Sequence, residues 1–352
     1  IAQCLVGSEM CIRDRMKTTK TIKVPTGEIY IATGEKGLPL EFLSVGDYGK
    51  SANIKADFLG ITREINGVPN GTPMPLSEKW VITISTQYGC SMGCKFCMVP
   101  KVGPGLNVTT NDILDQIQVA LSKHPEVTKT KRLNIHFARM GEPTFNDSVI
   151  LGASVLKQNL ESRIEAGTIH PVVSTMLPKA NKNLKSFLIT WCNVIKNGYY
   201  SGEAGLQFSI NSTSDEQREF LFSGNSLSLD EISKIGKELP MPVGRKYALN
   251  FALADDSIID AEILTRLFDP EKFMCKITPL HRTASCEENN IQTTGGYDYF
   301  TPYREVEESL KKYGWDVIVF VPSYDEDDGL ITCGNAILSG TLPRTKYIEI
   351  NE

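Results

Sequence analysis

The sequence predicts an α/β fold, an open partial (β/α)6 barrel preceded by a short irregular, partly β extension. Two observations predict it. From Lys79 onward, short β-branched or apolar runs alternate with amphipathic stretches of helical period, the pattern of parallel strands joined by helical crossovers. Six such units precede a last strand, too few for a closed eightfold barrel. A doubly wound sheet gives the same alternation, and the sequence leaves that alternative open.

The elements follow in order. Residues 16–78 are rich in Gly, Pro and Thr, with short extended pieces at 28–32 and 56–59. The extended runs are KWVITIST (79–86), LNIHFA (133–138), PVVST (171–175), LQFSI (206–210), YALNFALA (247–254) and FMCKITP (273–279). A seventh, DVIVFVP (316–322), follows a helix at 303–313. The first intervening helix sets Leu114, Ile117 and Leu121 on one face, and later ones are expected at 149–163, 184–196, 229–238 and 263–268. The chain divides into residues 1–15, an N-terminal extension (16–78), the barrel (79–300) and a C-terminal helix-strand segment (301–352). No internal repeat or low-complexity segment interrupts it.

Composition bounds the function. A hydrophobic share of 41% over 352 residues supports a sizeable core. No apolar run reaches the length of about 18 residues needed to cross a membrane. The net charge of −5 gives no global attraction to nucleic acid, so an RNA partner requires a local basic patch. The first fifteen residues, IAQCLVGSEMCIRDR, lack the features of a secretory signal and read as translated sequencing-adapter sequence, with Met16 as the start. Setting Cys4 and Cys11 aside leaves seven cysteines, three of them within eight positions. That clustering, without a secretory signal, points to a reduced, cytoplasmic compartment and to metal or redox chemistry.

Directly after the first strand, QYGCSMGCKFC sets Cys90, Cys94 and Cys97 in a C-x3-C-x2-C loop, with Gly89 and Gly93 permitting tight turns. Three thiolates this close can face one point. On a [4Fe-4S] cluster they leave one iron open for a further ligand. Zinc is the competing occupant, but it usually takes four ligands in paired C-x2-C spacing, and neither a second pair nor a nearby His is evident. The loop resembles that of the radical S-adenosylmethionine (SAM) enzymes, in which the open iron chelates SAM.

From about Thr83 to Leu338 the chain resembles the RlmN/Cfr family of radical SAM RNA adenine methyltransferases. STQYGCSMGCKFC is similar to the family's cluster loop, and ARMGEPTFN to its strand-two signature. VSTMLP, SINSTSDEQR and KITPLHRT fall where the family has further strand-end segments. The resemblance implies that Gly141, Glu142, Ser174, Ser209, Asn211 and His281 contact SAM. Chemically, Gly141 permits close backbone approach and Glu142 can accept from an ammonium group, while serine hydroxyls and amides serve as polar partners. Asn211 stands where the family has His, and His281 where it has Asn. DGLITCGNAIL resembles the segment that places Cys333 on the family's S-methylated cysteine.

Two departures stand out. The family's second cysteine, seven residues before the first cluster ligand, is Thr83 here, and a hydroxyl cannot form a disulfide. Cys286 is a candidate substitute, whereas Cys192 and Cys275 read as core residues. The segment before the cluster also shows no separate helical domain of the kind that rRNA-modifying members carry. The expectation is a radical SAM enzyme acting on adenine in rRNA or tRNA, with a [4Fe-4S] cluster, SAM and a flavodoxin-like or other reductant. The alternatives are a radical SAM enzyme that activates or modifies a protein, and a non-catalytic iron-sulfur or zinc module.

Overall fold

Side-chain alternation along the first parallel run begins the sheet. In β4 (Lys79–Ile84), Trp80, Ile82 and Ile84 are fully buried on one face while Val81 and Thr83 are only half-buried on the other. The parallel strands continue as β5 (Lys129–Phe137), β6 (Glu165–Thr175), β7 (Gly205–Ser209), β8 (Tyr247–Leu253), β9 (Phe273–Pro279) and β10 (Val317–Val319), and β8 and β9 are buried on both faces along most of their length. Burying one such large aliphatic or aromatic side chain contributes about 1.5–3 kcal/mol, so register is set by the outer face. The computed structural model describes residues 16–46, 64–65, 68–69, 75–293, 301–320, 322 and 324–352. Residues 1–15 and the extended piece expected at 56–59 lie outside the described residues.

β4 to β10 are parallel and hydrogen-bonded in chain order. A doubly wound sheet reverses its strand order at a switch point. No reversal occurs here, so the curved, singly wound partial barrel is the fold that forms. Residues 16–46 are more regular than their composition implies. They form an antiparallel meander of β1 (Lys17–Val24), β2 (Gly27–Thr33) and β3 (Pro39–Gly46), which continues the sheet beyond β4. β11 (Ile348–Asn351) pairs with β1 and completes an 11-stranded sheet. Both meander faces are buried: Tyr30, Leu40 and Phe42 join the main core, while Ile29, Ile31, Leu43 and Val45 pack with Leu330 and Ile337.

Helices cover the outer face. α1 (Thr110–Ser122) starts at a capping box in which Thr109 and Asp112 satisfy each other's backbone amides. It buries Ile113, Ile117 and Ala120 fully and Leu114 only partly, so its core face is turned slightly from the expected one. α2 (Ser148–Leu160) and α3 (Leu184–Thr190) follow. The helix expected at 184–196 becomes a π-helix from Trp191 to Tyr199, where the Trp191 indole donates to Gly205 O at 3.0 Å. α4 (Asp215–Leu221), α5 (Leu229–Glu238), α6 (Ala261–Leu267), α7 (Ala284–Glu288), α8 (Thr301–Lys312) and α9 (Tyr324–Asp328) complete the series. Cys192 and Cys275 are fully buried core residues.

Candidate functional site

The cysteine loop leaves β4 through a short ribbon, Gln87–Gly89 paired with Pro104–Asn107. Gly89 has φ +80°, and a Cβ there would lie 2.2 Å from Gly103 O, so only glycine lets the ribbon close and Cys90 N donate to Gly103 O at 3.1 Å. Two neighbouring loops hold the cysteine loop from either side. After α4, Ser223 Oγ donates to Gly93 O at 2.6 Å and Asn225 Nδ2 to Met92 O at 2.7 Å. After β9, Thr283 Oγ1 donates to Phe96 O at 2.8 Å and Ser285 Oγ to Cys97 O at 3.0 Å. Met92, Cys94 and Phe96 sink into an apolar bed with Phe222, Leu280 and Ile291.

Burial pushes the Cys90 thiol up to about 11 and Cys97 up to about 12, the latter also feeling Cys90. Cys94 is raised further by burial and then by the charges of Cys97 and Cys90. The thiols therefore lie within electrostatic reach of one another, and three thiolates there need a cationic partner. Among the described residues, no three His, Cys, Asp or Glu side chains converge as tightly as a single chelated ion requires. A donor set of three thiols is the ligand chemistry of an iron-sulfur cluster with one open iron, whereas structural zinc takes four ligands.

Glu142 follows β5 and is 2% exposed. Its Oε1 accepts from Thr144 N at 3.1 Å and Thr144 Oγ1 at 2.7 Å, and its Oε2 from Met176 N at 2.8 Å. Burial raises its carboxyl, opposed by the hydrogen bonds from Met176, Thr144 and Thr175, and its charge reaches Cys90 and Cys94. Gly141, at φ +97°, packs on Gln87, whose Cβ would be 2.5 Å from a Cβ at that position. Gln87 Oε1 in turn accepts from Glu142 N at 2.9 Å. Gly141 thus has a packing reason to be glycine besides any ligand.

Ser174 and Ser209 lie at the C-terminal ends of β6 and β7, and Asn211 just beyond, on the rim that carries the cysteine loop. Ser174 Oγ accepts from Gln207 Nε2 at 3.3 Å, and Gln207 Oε1 accepts from Lys276 Nζ at 3.3 Å, forming a polar row inside the barrel. Ser209 gives its carbonyl to Arg218. Asn211, at φ +60°, uses Oδ1 to accept from Ala252 N at 3.1 Å. His281 lies after β9 with Nδ1 3.3 Å from Asp327 Oδ1. His136 opposes Thr83 in register on the same inner face. Burial first, then Lys276, Lys79, Arg245 and Arg132, lower it to about 3, so it stays neutral.

Cys333 is exposed, in the loop before Gly334, whose carbonyl accepts from Met98 N at 2.7 Å. That bond seats the Cys333 loop against the residue that follows Cys97, and the Cys97 thiol feels the Cys333 charge. Cys286, by contrast, is 1% exposed, with Sγ 3.4 Å from His281 O and its ionisation disfavoured by burial. A thiol held that way is a poor nucleophile. Sequence reasoning missed Gln87, Arg139 and Glu41. The signal for Glu41 was present, a carboxylate inside the apolar run PLEFLSV.

No family model matches the chain. It is similar to the dual-specificity RNA methyltransferase RlmN of Campylobacter hominis, 28% identical over 197 residues that make up 54% of this chain and 51% of that protein. It is also similar to the RlmN of Pelobacter propionicus, 25% identical over 274 residues, 76% of this chain and 70% of that one. The chain spans about half the length of the first curated relatives it matches. Among solved structures, a radical SAM methyltransferase from Sphaerobacter thermophilus shares the fold, with a TM-score of 0.61 at 18% identity over 91% of this chain and 81% of that chain.

Proposed function

We propose that this chain, a divergent relative of the RlmN radical SAM proteins, is a radical SAM methyltransferase whose methyl-carrying residue is Cys333. One observation carries the reading. The cysteine loop and the Cys333 loop, more than 200 residues apart in sequence, meet through Met98 N and Gly334 O at 2.7 Å. Cys90, Cys94 and Cys97 would hold a [4Fe-4S] cluster, which when bound supplies the electron for reductive cleavage of SAM. Glu142 would orient the SAM ammonium group, and Ser174, Ser209, Asn211 and His281 would line the same rim. Around them the apolar bed of Phe96, Phe222 and Leu280 keeps water from the thiols. Cys333, alone exposed among the described cysteines, is free to take up a methyl group and present it to a substrate.

The substrate in this reading is adenine in rRNA or tRNA, modified at carbon 2, with a flavodoxin-like or other reductant and a cytoplasmic setting. The curated relatives are named as RNA methyltransferases, which supports it. Thr83 supports a second reading, a radical SAM enzyme acting on a protein, because the inner face offers no thiol at that position to release an RNA adduct. Mass spectrometry of anaerobically reconstituted protein incubated with SAM tests the proposal. A methyl group on Cys333 and release of 5'-deoxyadenosine are expected. An unmodified Cys333 in protein that cleaves SAM would overturn the methyl-carrier assignment.

A further inference from the structure

Cys333 is exposed, yet the peptide groups around it are not loose. Arg139, immediately beyond β5, is buried and paired with Glu41 of β3, which is 0% exposed. Arg139 Nε donates to Glu41 Oε1 at 2.9 Å, and Nη2 reaches the same oxygen. The remainder of the guanidinium fork turns to the Cys333 loop, with Nη2 donating to Leu330 O at 2.9 Å and Nη1 to Thr332 O at 3.2 Å. On the other side of the cysteine, Glu41 Oε2 accepts from Leu338 N at 3.0 Å. The apolar contacts repeat the arrangement, since Leu330 and Ile337 pack on Ile29, Ile31, Leu43 and Val45 of the meander.

A buried ion pair loses hydration on both sides and is a weak device for stability alone. It persists where its geometry is complete and where a defined position is required. Here one pair fixes both ends of a nine-residue stretch, Leu330 to Leu338, whose centre meets the cysteine loop at Met98. We propose that the Glu41–Arg139 pair is a positioning device that holds the Cys333 loop over the cysteine loop, making the N-terminal meander a working part of the site. The proposal rests on Cys333 as the reacting thiol for its functional consequence but not for its structural one.

Arg139→Lys keeps a cation beside Glu41 but loses the planar fork that reaches Leu330 O and Thr332 O. Replacing the pair by apolar side chains, Glu41→Leu with Arg139→Met, commonly leaves a fold intact and removes the device altogether. Hydrogen exchange on the cluster-free full-length protein should show amides 330–338 and Met98 exchanging on the order of tenfold faster in both variants, with β4 to β9 unchanged. In reconstituted protein, Cys333 methylation should fall at least about tenfold while 5'-deoxyadenosine still forms, an uncoupling that simple loss of stability does not produce. Unchanged exchange at 330–338, or an increase spread evenly through the core strands, would overturn the proposal. If wild-type Cys333 never carries a methyl group, the functional reading fails by itself and the exchange result still decides the positioning role.

Discussion

Glu142→Gln separates what this carboxylate does for the fold from what it does for a ligand. An ionised carboxylate offers about four acceptor sites, and Thr144 N, Thr144 Oγ1 and Met176 N occupy three of them. Thr175 also bonds the carboxylate, so a ligand N–H would share or replace one of these contacts. Glutamine keeps an oxygen for Thr144 but turns an NH2 toward Met176 N, leaving two buried donors face to face. Leaving one buried donor unsatisfied costs about 1–3 kcal/mol, a fall in melting temperature of roughly 2–6 °C. Alanine exposes all these donors and should cost about 3 kcal/mol or more. The pH dependence has a definite sign. Burial raises the Glu142 carboxyl, so its stability contribution is full below the ordinary carboxylate value and declines as pH rises through the raised one. Glutamine does not titrate, and the deficit of the variant should narrow with rising pH. Loss of the ligand contact adds roughly a ten- to hundredfold weakening of SAM binding, measured by equilibrium dialysis on reconstituted protein. A Glu142→Gln protein that melts with wild type refutes the hydrogen-bond reasoning, and one that binds SAM as tightly as wild type removes Glu142 from the SAM site.

Replacing Cys90, Cys94 or Cys97 by Ala should abolish both the iron-sulfur absorbance and 5'-deoxyadenosine formation; zinc bound by strictly anaerobic wild type would contradict the cluster. At the meander, burial opposes ionisation of Glu28, but hydrogen bonds from His124, Lys23 and Tyr30 outweigh it and hold the carboxyl at about 2 instead of 4.5. That lowering contributes stability that is present above 4.5 and lost as pH falls toward 2, reduced by solvent screening at this partly exposed site. Acid titration of thermal stability should therefore show Glu28→Gln losing less than wild type over that window. If methyl transfer to adenine is retained, wild type should stall as an RNA adduct on Cys333 and Thr83→Cys should release methylated RNA. Cys286→Ala should change neither, because that thiol is buried; an adduct that accumulates only in Cys286→Ala would reverse this assignment.

By itself the sequence determined the parallel strands from Lys79 onward and the cysteine loop, because each is encoded locally, whereas the rim residues became candidates only through the resemblance and the strands of the N-terminal meander were not foreseen. Alternation such as Trp80, Ile82, Ile84 against Val81, Thr83 is legible within six residues, and three thiols at fixed short spacing have few other uses. The helix at 184–196 was legible as a helix but not in its π-helical half, which depends on Trp191 reaching Gly205 across the packing interface. The choice between partial barrel and doubly wound sheet was not encoded locally, since both use the same β-α units and differ only in which strands pair. Hydrogen-bonding of β4 to β10 in chain order decided it. Likewise, only the tertiary structure could reveal that Gly141 packs on Gln87, that Cys286 is sealed, and that Glu41 and Arg139 meet across 98 positions to grip the Cys333 loop. Contacts at that separation are set by loop closure and by the burial of both partners, and no periodicity along the chain records them.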